Sequence, residues 1–196
     1  MKVIYNPISS EIEEYISHDK FKTTKKENLI IVVGRLESQK SIHIAIKAFN
    51  QVLKVYPNIK LNIIGSGSLM IELKMLVKKL KLQNHISFIG FTNDIISYYI
   101  KAKLTLLTSD YEGFPNVLVE SISLGTPVVS YNCPNGPDEI INGTNGNLVH
   151  ENDPVTIAKA IIENLQTAWD SKKIIQSSLK FRSEKIVEEY KKILSI

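Results

Sequence analysis

Cysteine is almost missing from this 196-residue chain. A single Cys133 excludes an internal disulfide and fits a reducing compartment. Alone in a Pro- and Gly-containing loop, it reads as incidental rather than as a nucleophile. Long hydrophobic runs are lacking too. Stretches such as "LIIVV" (29–33) fall far short of the ~20 apolar residues of a membrane-spanning helix. The opening "MKVIYNPISS" has no apolar h-region, so no signal peptide is expected. Charge of one sign does not dominate either. Lys and Arg number 24 against 20 Asp and Glu, a net charge of +4 that leans mildly toward anionic partners. The basic residues are dispersed along helix-like stretches such as "MLVKKLKL" (75–82), which reads as a solvated face rather than a nucleic-acid footprint. No zinc-ligand spacing, RNA-binding aromatic motif, helix-turn-helix pattern, repeat or low-complexity segment is present, and no nucleic-acid partner is expected.

What is there is the composition of one ordinary globular domain, 43% hydrophobic and 22% charged. Six short apolar runs are strand candidates: 28–34, 60–65, 85–90, 104–109, 127–131 and 146–150. Their apolarity is continuous rather than alternating, as in strands covered on both faces of a parallel sheet. Between them, 39–56 carries Ile42, Ala45, Ile46, Phe49, Val52 and Leu53 at helical spacing. Residues 69–81, 94–101, 115–124 and 154–168 read as further helices. The alternation predicts an α/β domain, a Rossmann-like doubly wound parallel sheet of about six strands. At the N-terminus an extended "VIYNP", a short helix at 11–17 and a Lys-rich linker "KFKTTKKEN" (20–28) are expected. Residues 171–196 are charged and helical, with a break near Phe181, Ser183 as the cap of the last helix, and Ile186, Val187, Tyr190, Ile193 and Leu194 on one face.

Ligands of open α/β sheets bind beyond the carboxyl ends of the strands. The first strand is followed by Gly34 and Arg35, with Lys40 further on, and the second by "GSG" (Gly65 to Gly67). The third leads to "GFTND", which contains Phe91, the fourth to "SDYEGFP" and the fifth to "NCPNGPDE". Gly, Arg, Lys and acidic residues therefore gather on one edge, as an anionic polyhydroxyl ligand requires. Arg35 and Lys40 could bracket a diphosphate, one through a planar fork and the other as a point charge. The structural alternative is two surface cations at a helix start, where the dipole disfavours them. "GSG" is not a dinucleotide fingerprint, because Met70 stands where the third glycine would be.

Glu112 and Glu120 flank "GFPNVLV". Pro115 suits the first position of a helix, which puts the N–H groups of Gly113 and Phe114 at its start, a ready anion site. Asn116, Glu120 and Ser123 form a polar stripe on that helix, opposite Val117, Leu118, Ser121 and Ile122. Glu120 can then face the cleft. A sheltered carboxylate needs hydrogen-bond donors, either neighbouring ribose hydroxyls or backbone N–H groups of an adjacent loop; spacing alone leaves both open.

Taken together, "VVGRLESQKS", "LNIIGSGSLMIEL", "ISFIGFTNDI", "TSDYEGFPNVLVESISLGTPVVS" and "GPDEIINGTNGNLV" resemble the C-terminal, nucleotide-sugar-binding domain of retaining GT-B glycosyltransferases of group 1 (family 4). The resemblance covers about residues 28–165. It is closest in kind to bacterial enzymes that extend surface polysaccharides or lipid-linked oligosaccharides. It implies that Arg35 and Lys40 hold the donor diphosphate and that Glu120 binds the ribose. Glu112 would contact the donor sugar. Gly34, Gly65, Gly67, Gly113, Phe114, Pro115 and Asn116 would line the nucleotide-sugar site, with Phe91 near the base. Ser41 departs from the family's usual Gly, and Ser121-Ile122-Ser123 from Ala-Met-Ala. The implied donor is a UDP-linked hexose or N-acetylhexosamine, and the acceptor a growing glycan or a lipid-linked one. The implied chemistry is metal-independent and without a cofactor, and the sequence contains no Asp-x-Asp. The family normally carries an N-terminal acceptor domain, so residues 1–27 are expected to be an interdomain connection, 28–170 the donor-binding domain, and 171–196 a helical segment packing toward that missing domain. The 196 residues alone are then expected to be inactive. The expected location is the cytoplasm, with peripheral contact at the cytoplasmic face of the membrane left open. The alternatives are a non-catalytic nucleotide-binding or scaffolding module and, disfavoured by the paired glutamates, a sugar-nucleotide epimerase.

Overall fold

The computed structural model describes residues 3–17 and 25–194. After helix α1 (Ser10–Ser17) come β1 (Leu29–Val33), α2 (Ile42–Val52), β2 (Lys60–Ile64), α3 (Met70–Lys79), β3 (Ile86–Gly90) and α4 (Ile95–Lys101). The chain continues through β4 (Leu104–Leu107), α5 (Asn116–Ser123), β5 (Val128–Tyr131), the single turn α6 (Pro137–Ile140) and β6 (Gly146–Val149). It ends in α7 (Pro154–Gln166), α8 (Ser171–Ser178) and α9 (Ser183–Leu194). All six expected strands form, and they pair in parallel in the order β3-β2-β1-β4-β5-β6. The turn α6 was not expected from the sequence; four residues are too few for a helical period to register.

The continuous apolarity of the strands has the expected cause, since each is covered twice. In β1, Ile30 and Val32 join a core with α2, α3 and α7, whereas Leu29 and Ile31 face a second core under α4, α5 and α8. β4 repeats the division with Leu104 and Leu106 on one side and Leu107 on the other. Fully burying each such side chain contributes about 1.5–3 kcal/mol. Asp153 and Asp170 set the starts of α7 and α8 by accepting from Val155 N and Thr156 N, and from Lys172 N.

The chain ends belong to the second core. Ile8 and Ile12 are buried, and Ile8 N–H donates to Phe181 O at 2.9 Å. Tyr5 stacks on Phe114 and meets Phe181 edge-on, each pair of ring centroids 5.4 Å apart. The described part of the stretch expected to be a connection is thus docked on the domain. Residues 20–24 of the Lys-rich stretch lie outside the described residues. On the other side of the expected boundary at 170, Ile174 and Phe181 are completely buried, so α8 belongs to the same core. Ser183 is the first residue of α9 rather than its cap: its N–H donates to Glu13 Oε1 at 2.6 Å, and a carboxylate from α1 closes this helix terminus.

Candidate functional site

The strand order reverses between β1 and β4, so a crevice opens where the loops after these strands part. The loop after β1 is held by close backbone packing. A Cβ at Gly65 would lie 2.0 Å from Gly34 O, and one at Gly67 would lie 2.5 Å from Leu36 O. Only glycine lets these strands of backbone approach. Glu37 adds a side-chain tie, accepting from Ser68 N at 2.9 Å and Ser68 Oγ at 2.6 Å, which holds its carboxyl below the usual range. The result is a cleft of about 330 Å³ whose walls include Gly34, Arg35, Gly65, Phe91, Thr92 and Ile95. Arg35 is exposed, and Phe91 is 81% exposed at the rim. Gly67 is not among the lining residues; its place is against the Leu36 backbone.

Lys40 ends a 3₁₀ turn, Ser38–Lys40, and its stem runs within 3.5–3.9 Å of the position a Cβ on Gly34 would take. Its Nζ lies 2.6 Å from Glu112 Oε1, which also accepts from Ser109 Oγ at 2.6 Å. Glu112 is buried, 8% exposed, so its charge is sustained by these donors rather than by water.

The turn is fixed against the loop after β4. Ser41 adopts a left-handed backbone (φ 42°, ψ 39°), and its Oγ donates to Asp110 Oδ2 at 2.7 Å. Asp110 N–H donates to Gln39 O at 2.8 Å, and Asn152 Nδ2 donates to Asp110 Oδ1 at 3.1 Å and to Thr108 O at 3.0 Å. The nearby Cys133 thiol is pushed up to about 11, by burial first and then by the Glu112 charge. It stays protonated at neutral pH, in line with its reading as incidental.

Glu120 sits on α5 with Oε2 accepting from the hydroxyl of Tyr99 at 2.8 Å. Tyr99 is completely buried. Burial pushes the Glu120 carboxyl up, the Tyr99 bond pulls it down, and Glu11 nearby pushes it up again. The donor is therefore a phenol, where the sequence left a choice between ribose hydroxyls and backbone N–H groups. Glu120 opens into a recess of about 100 Å³ between Pro7, Ile8 and Ser9 on one side and Asn116 and Val119 on the other. The polar stripe expected on α5 is shorter than its spacing suggested. Ser123 is wholly buried and its Oγ has no partner, because it lies at the far end of α5, roughly 10 Å along the axis from Asn116, where the same face is covered by the core. Pro115 is the N-cap, one position ahead of its expected place, with Leu118 N–H returning to its carbonyl at 2.9 Å. A Cβ at Gly113 would point into open space, whereas Phe114 packs on Tyr5 and Phe181.

The structure therefore brings Gly34, Arg35, Gly65 and Phe91 to one cleft, sets Lys40 and Glu112 as a pair beside it, and places Asn116 and Glu120 on a neighbouring recess. Sequence reasoning missed Tyr99, Asp110 and Ser109. Ile95 and Tyr99 share a helix face, i and i+4, which links the cleft wall to the Glu120 donor; the phase of "IISYYIK" was the available signal. Among the described residues no three His, Cys, Asp or Glu side chains converge as a ligand set, and no helix is long and apolar enough to cross a membrane.

The model of the family described as "Glycosyl transferases group 1" matches residues 14–181, a span that includes Gly34, Arg35, Lys40, Gly65, Phe91, Glu112 and Glu120. The chain belongs to that family. An uncharacterized glycosyltransferase of Haemophilus influenzae is 35% identical over 182 residues, covering 89% of this chain and 51% of the relative. A Campylobacter jejuni relative is named as a GalNAc-alpha-(1->4)-GalNAc-alpha-(1->3)-diNAcBac-PP-undecaprenol alpha-1,4-N-acetyl-D-galactosaminyltransferase. It is 30% identical over 201 residues, covering 100% of this chain and 54% of the relative. The chain spans about half the length of these two relatives. Among solved structures, Anabaena Alr3699/HepE in complex with UDP superposes with a TM-score of 0.81 at 27% identity, covering 99% of this chain and 57% of that one. The fold is that of one Rossmann-like half of the GT-B glycosyltransferases.

Proposed function

We propose that this chain is the donor-binding half of a retaining glycosyltransferase that uses a UDP-linked hexose or N-acetylhexosamine and delivers it to a growing surface glycan or lipid-linked acceptor. The observation that carries this reading is the convergence of Gly34, Arg35, Gly65 and Phe91 on one cleft with the Lys40–Glu112 pair at its flank. Phe91 offers a face for the base, and the Arg35 fork with the Lys40 ammonium meets the diphosphate. Glu120, held by Tyr99 through one oxygen, keeps the other for ribose hydroxyls. Glu112 takes donor-sugar hydroxyls once Lys40 turns to phosphate.

In the proposed reaction the sugar–phosphate bond breaks and the acceptor oxygen bonds the anomeric carbon on the same face. The acceptor proton passes to the departing diphosphate, so no general base comes from this half. The chain's own contribution is stabilisation of developing negative charge by Arg35 and Lys40. No metal and no further cofactor are required in this scheme. An acceptor-binding N-terminal domain, in the same chain or another, completes the site, and the isolated 196 residues transfer little or no sugar.

A transfer assay with UDP-glucose, UDP-N-acetylglucosamine and UDP-N-acetylgalactosamine tests the reading, using the chain alone and joined to the N-terminal half of its Haemophilus relative. The joined protein is expected to transfer one sugar with its anomeric configuration kept. Robust transfer by the isolated chain, or an inverted product, overturns it.

A further inference from the structure

The outward face of α3 differs from an ordinary solvated helix face. Leu73 and Val77 point into the core. At 100° per residue, the side chains opposite them run Lys74, Lys78, Ile71, Met75, Lys79 around the helix. Its centre is thus apolar: Ile71 is 73% and Met75 59% exposed. Lys74 and Lys78 flank this pair on one side and Lys79 on the other, all exposed. Lys74 leans toward the Phe88 ring, 5.9 Å from its centroid, and among the described residues none of the three forms an ion pair. Glu72 is the one acid of the helix. Single exposed apolar residues are common, but an Ile–Met pair at i and i+4 inside a border of three lysines combines an apolar centre with a cationic rim, which complements an anionic lipid surface.

We propose that α3 is a docking face for an anionic lipid surface: Ile71 and Met75 enter the boundary between headgroups and acyl chains, and Lys74, Lys78 and Lys79 meet anionic headgroups. The lysine stems lie along the apolar pair while the ammonium groups stay at headgroup level. A second copy of the chain is a poor occupant, because a two-fold contact would set these lysines against one another. The proposal stands apart from the donor reading, since none of these side chains lines the cleft.

The test is co-sedimentation of the full chain with phosphatidylcholine vesicles, plain or containing about one third phosphatidylglycerol. Partitioning is expected to be roughly tenfold or more stronger with the anionic vesicles, since each Lys near such a leaflet adds about a fivefold gain. Ile71→Ser/Met75→Ser should weaken partitioning onto the anionic vesicles severalfold or more, and Lys74→Glu/Lys78→Glu should remove the preference for them, each leaving the melting temperature and the UDP titration as in the parent. The proposal is overturned by binding to neither vesicle, by equal binding to both, or by anionic binding that survives both double variants. It is equally overturned by a concentration-dependent dimer that Ile71→Ser/Met75→Ser dissolves without any vesicle binding.

Discussion

Lys40 Nζ and Glu112 Oε1 lie 2.6 Å apart, joining two loops separated by 72 positions in the chain. The cation proposed for the diphosphate is thus paired with the carboxylate proposed for the sugar. A donor that engages Lys40 through phosphate and Glu112 through sugar hydroxyls replaces this one contact with two. Glu112→Gln removes the competitor for Lys40 and a negative charge near the phosphates. UDP should bind about three- to tenfold tighter, roughly 1 kcal/mol, while the extra affinity of a UDP-sugar over UDP is lost. Paired titrations of UDP and UDP-glucose check this; a variant weakened equally for both ligands would move Glu112 from the sugar to the nucleotide.

In the proposed reading, Tyr99 acts on the nucleotide through its bond to Glu120, not by contact. Tyr99→Phe withdraws the donor from a sheltered carboxylate and should cost about 1–2 kcal/mol of stability and roughly fivefold in UDP affinity. Denaturant unfolding and a UDP titration of the same preparation read both. Loss of stability with unchanged affinity would make the bond purely structural.

Ser41 holds a left-handed backbone, which costs a non-glycine residue roughly 1 kcal/mol. Its Oγ bond to Asp110 offsets that strain. Ser41→Ala keeps the strain and loses the bond, so it should destabilise by about 1–2 kcal/mol. Ser41→Gly loses both and should be close to neutral. Equal destabilisation by the two substitutions would show that strain plays no part.

Lys26 supplies a pH dependence at the amino ends of the inner strands, away from the cleft. It donates to Thr126 Oγ1 and pairs with no carboxylate among the described residues, and burial lowers its pKa from 10.5 to about 8. Because the folded state holds its proton less tightly than the unfolded one, stability rises with pH between these values. The cost is fully present below about pH 8. Lys26→Met should therefore stabilise the protein on the order of 1–3 kcal/mol at pH 7, with the gain fading toward pH 10.5. Chemical denaturation of both proteins across that range checks the sign; a gain that grows with pH contradicts it.

The sheet was legible because strands buried on both faces leave uninterrupted apolar runs such as "NLIIVVG". Each lies within the range read for it, give or take a residue or two. The edge carrying Gly34, Arg35, Gly65 and Phe91 was legible for the same reason: topology alone delivers every post-strand loop to one side. Contacts between loops were not. Nothing local in "SDYEG" says that Asp110 takes Ser41 Oγ or that Glu112 takes Lys40, because those pairings depend on how two loops fold across a strand reversal. Ser123 was misplaced since it keeps the angular face of Asn116 but lies seven residues, roughly 10 Å, further along the helix axis, where that face is covered by the core. The docking of Tyr5 and Ile8 on Phe114 and Phe181 was hidden because an extended "VIYNP" carries no period to reveal a packed face.

The central claim, that this crevice binds a nucleoside diphosphate without a metal, is tested most directly by calorimetric titration. The chain and its Glu120→Ala variant would each be titrated with UDP, GDP and ADP, with and without EDTA. The account predicts saturable UDP binding that EDTA leaves unchanged and that Glu120→Ala weakens by about 30- to 1000-fold, some 2–4 kcal/mol. No binding by the parent chain, binding that EDTA abolishes, or affinity untouched by Glu120→Ala would contradict it.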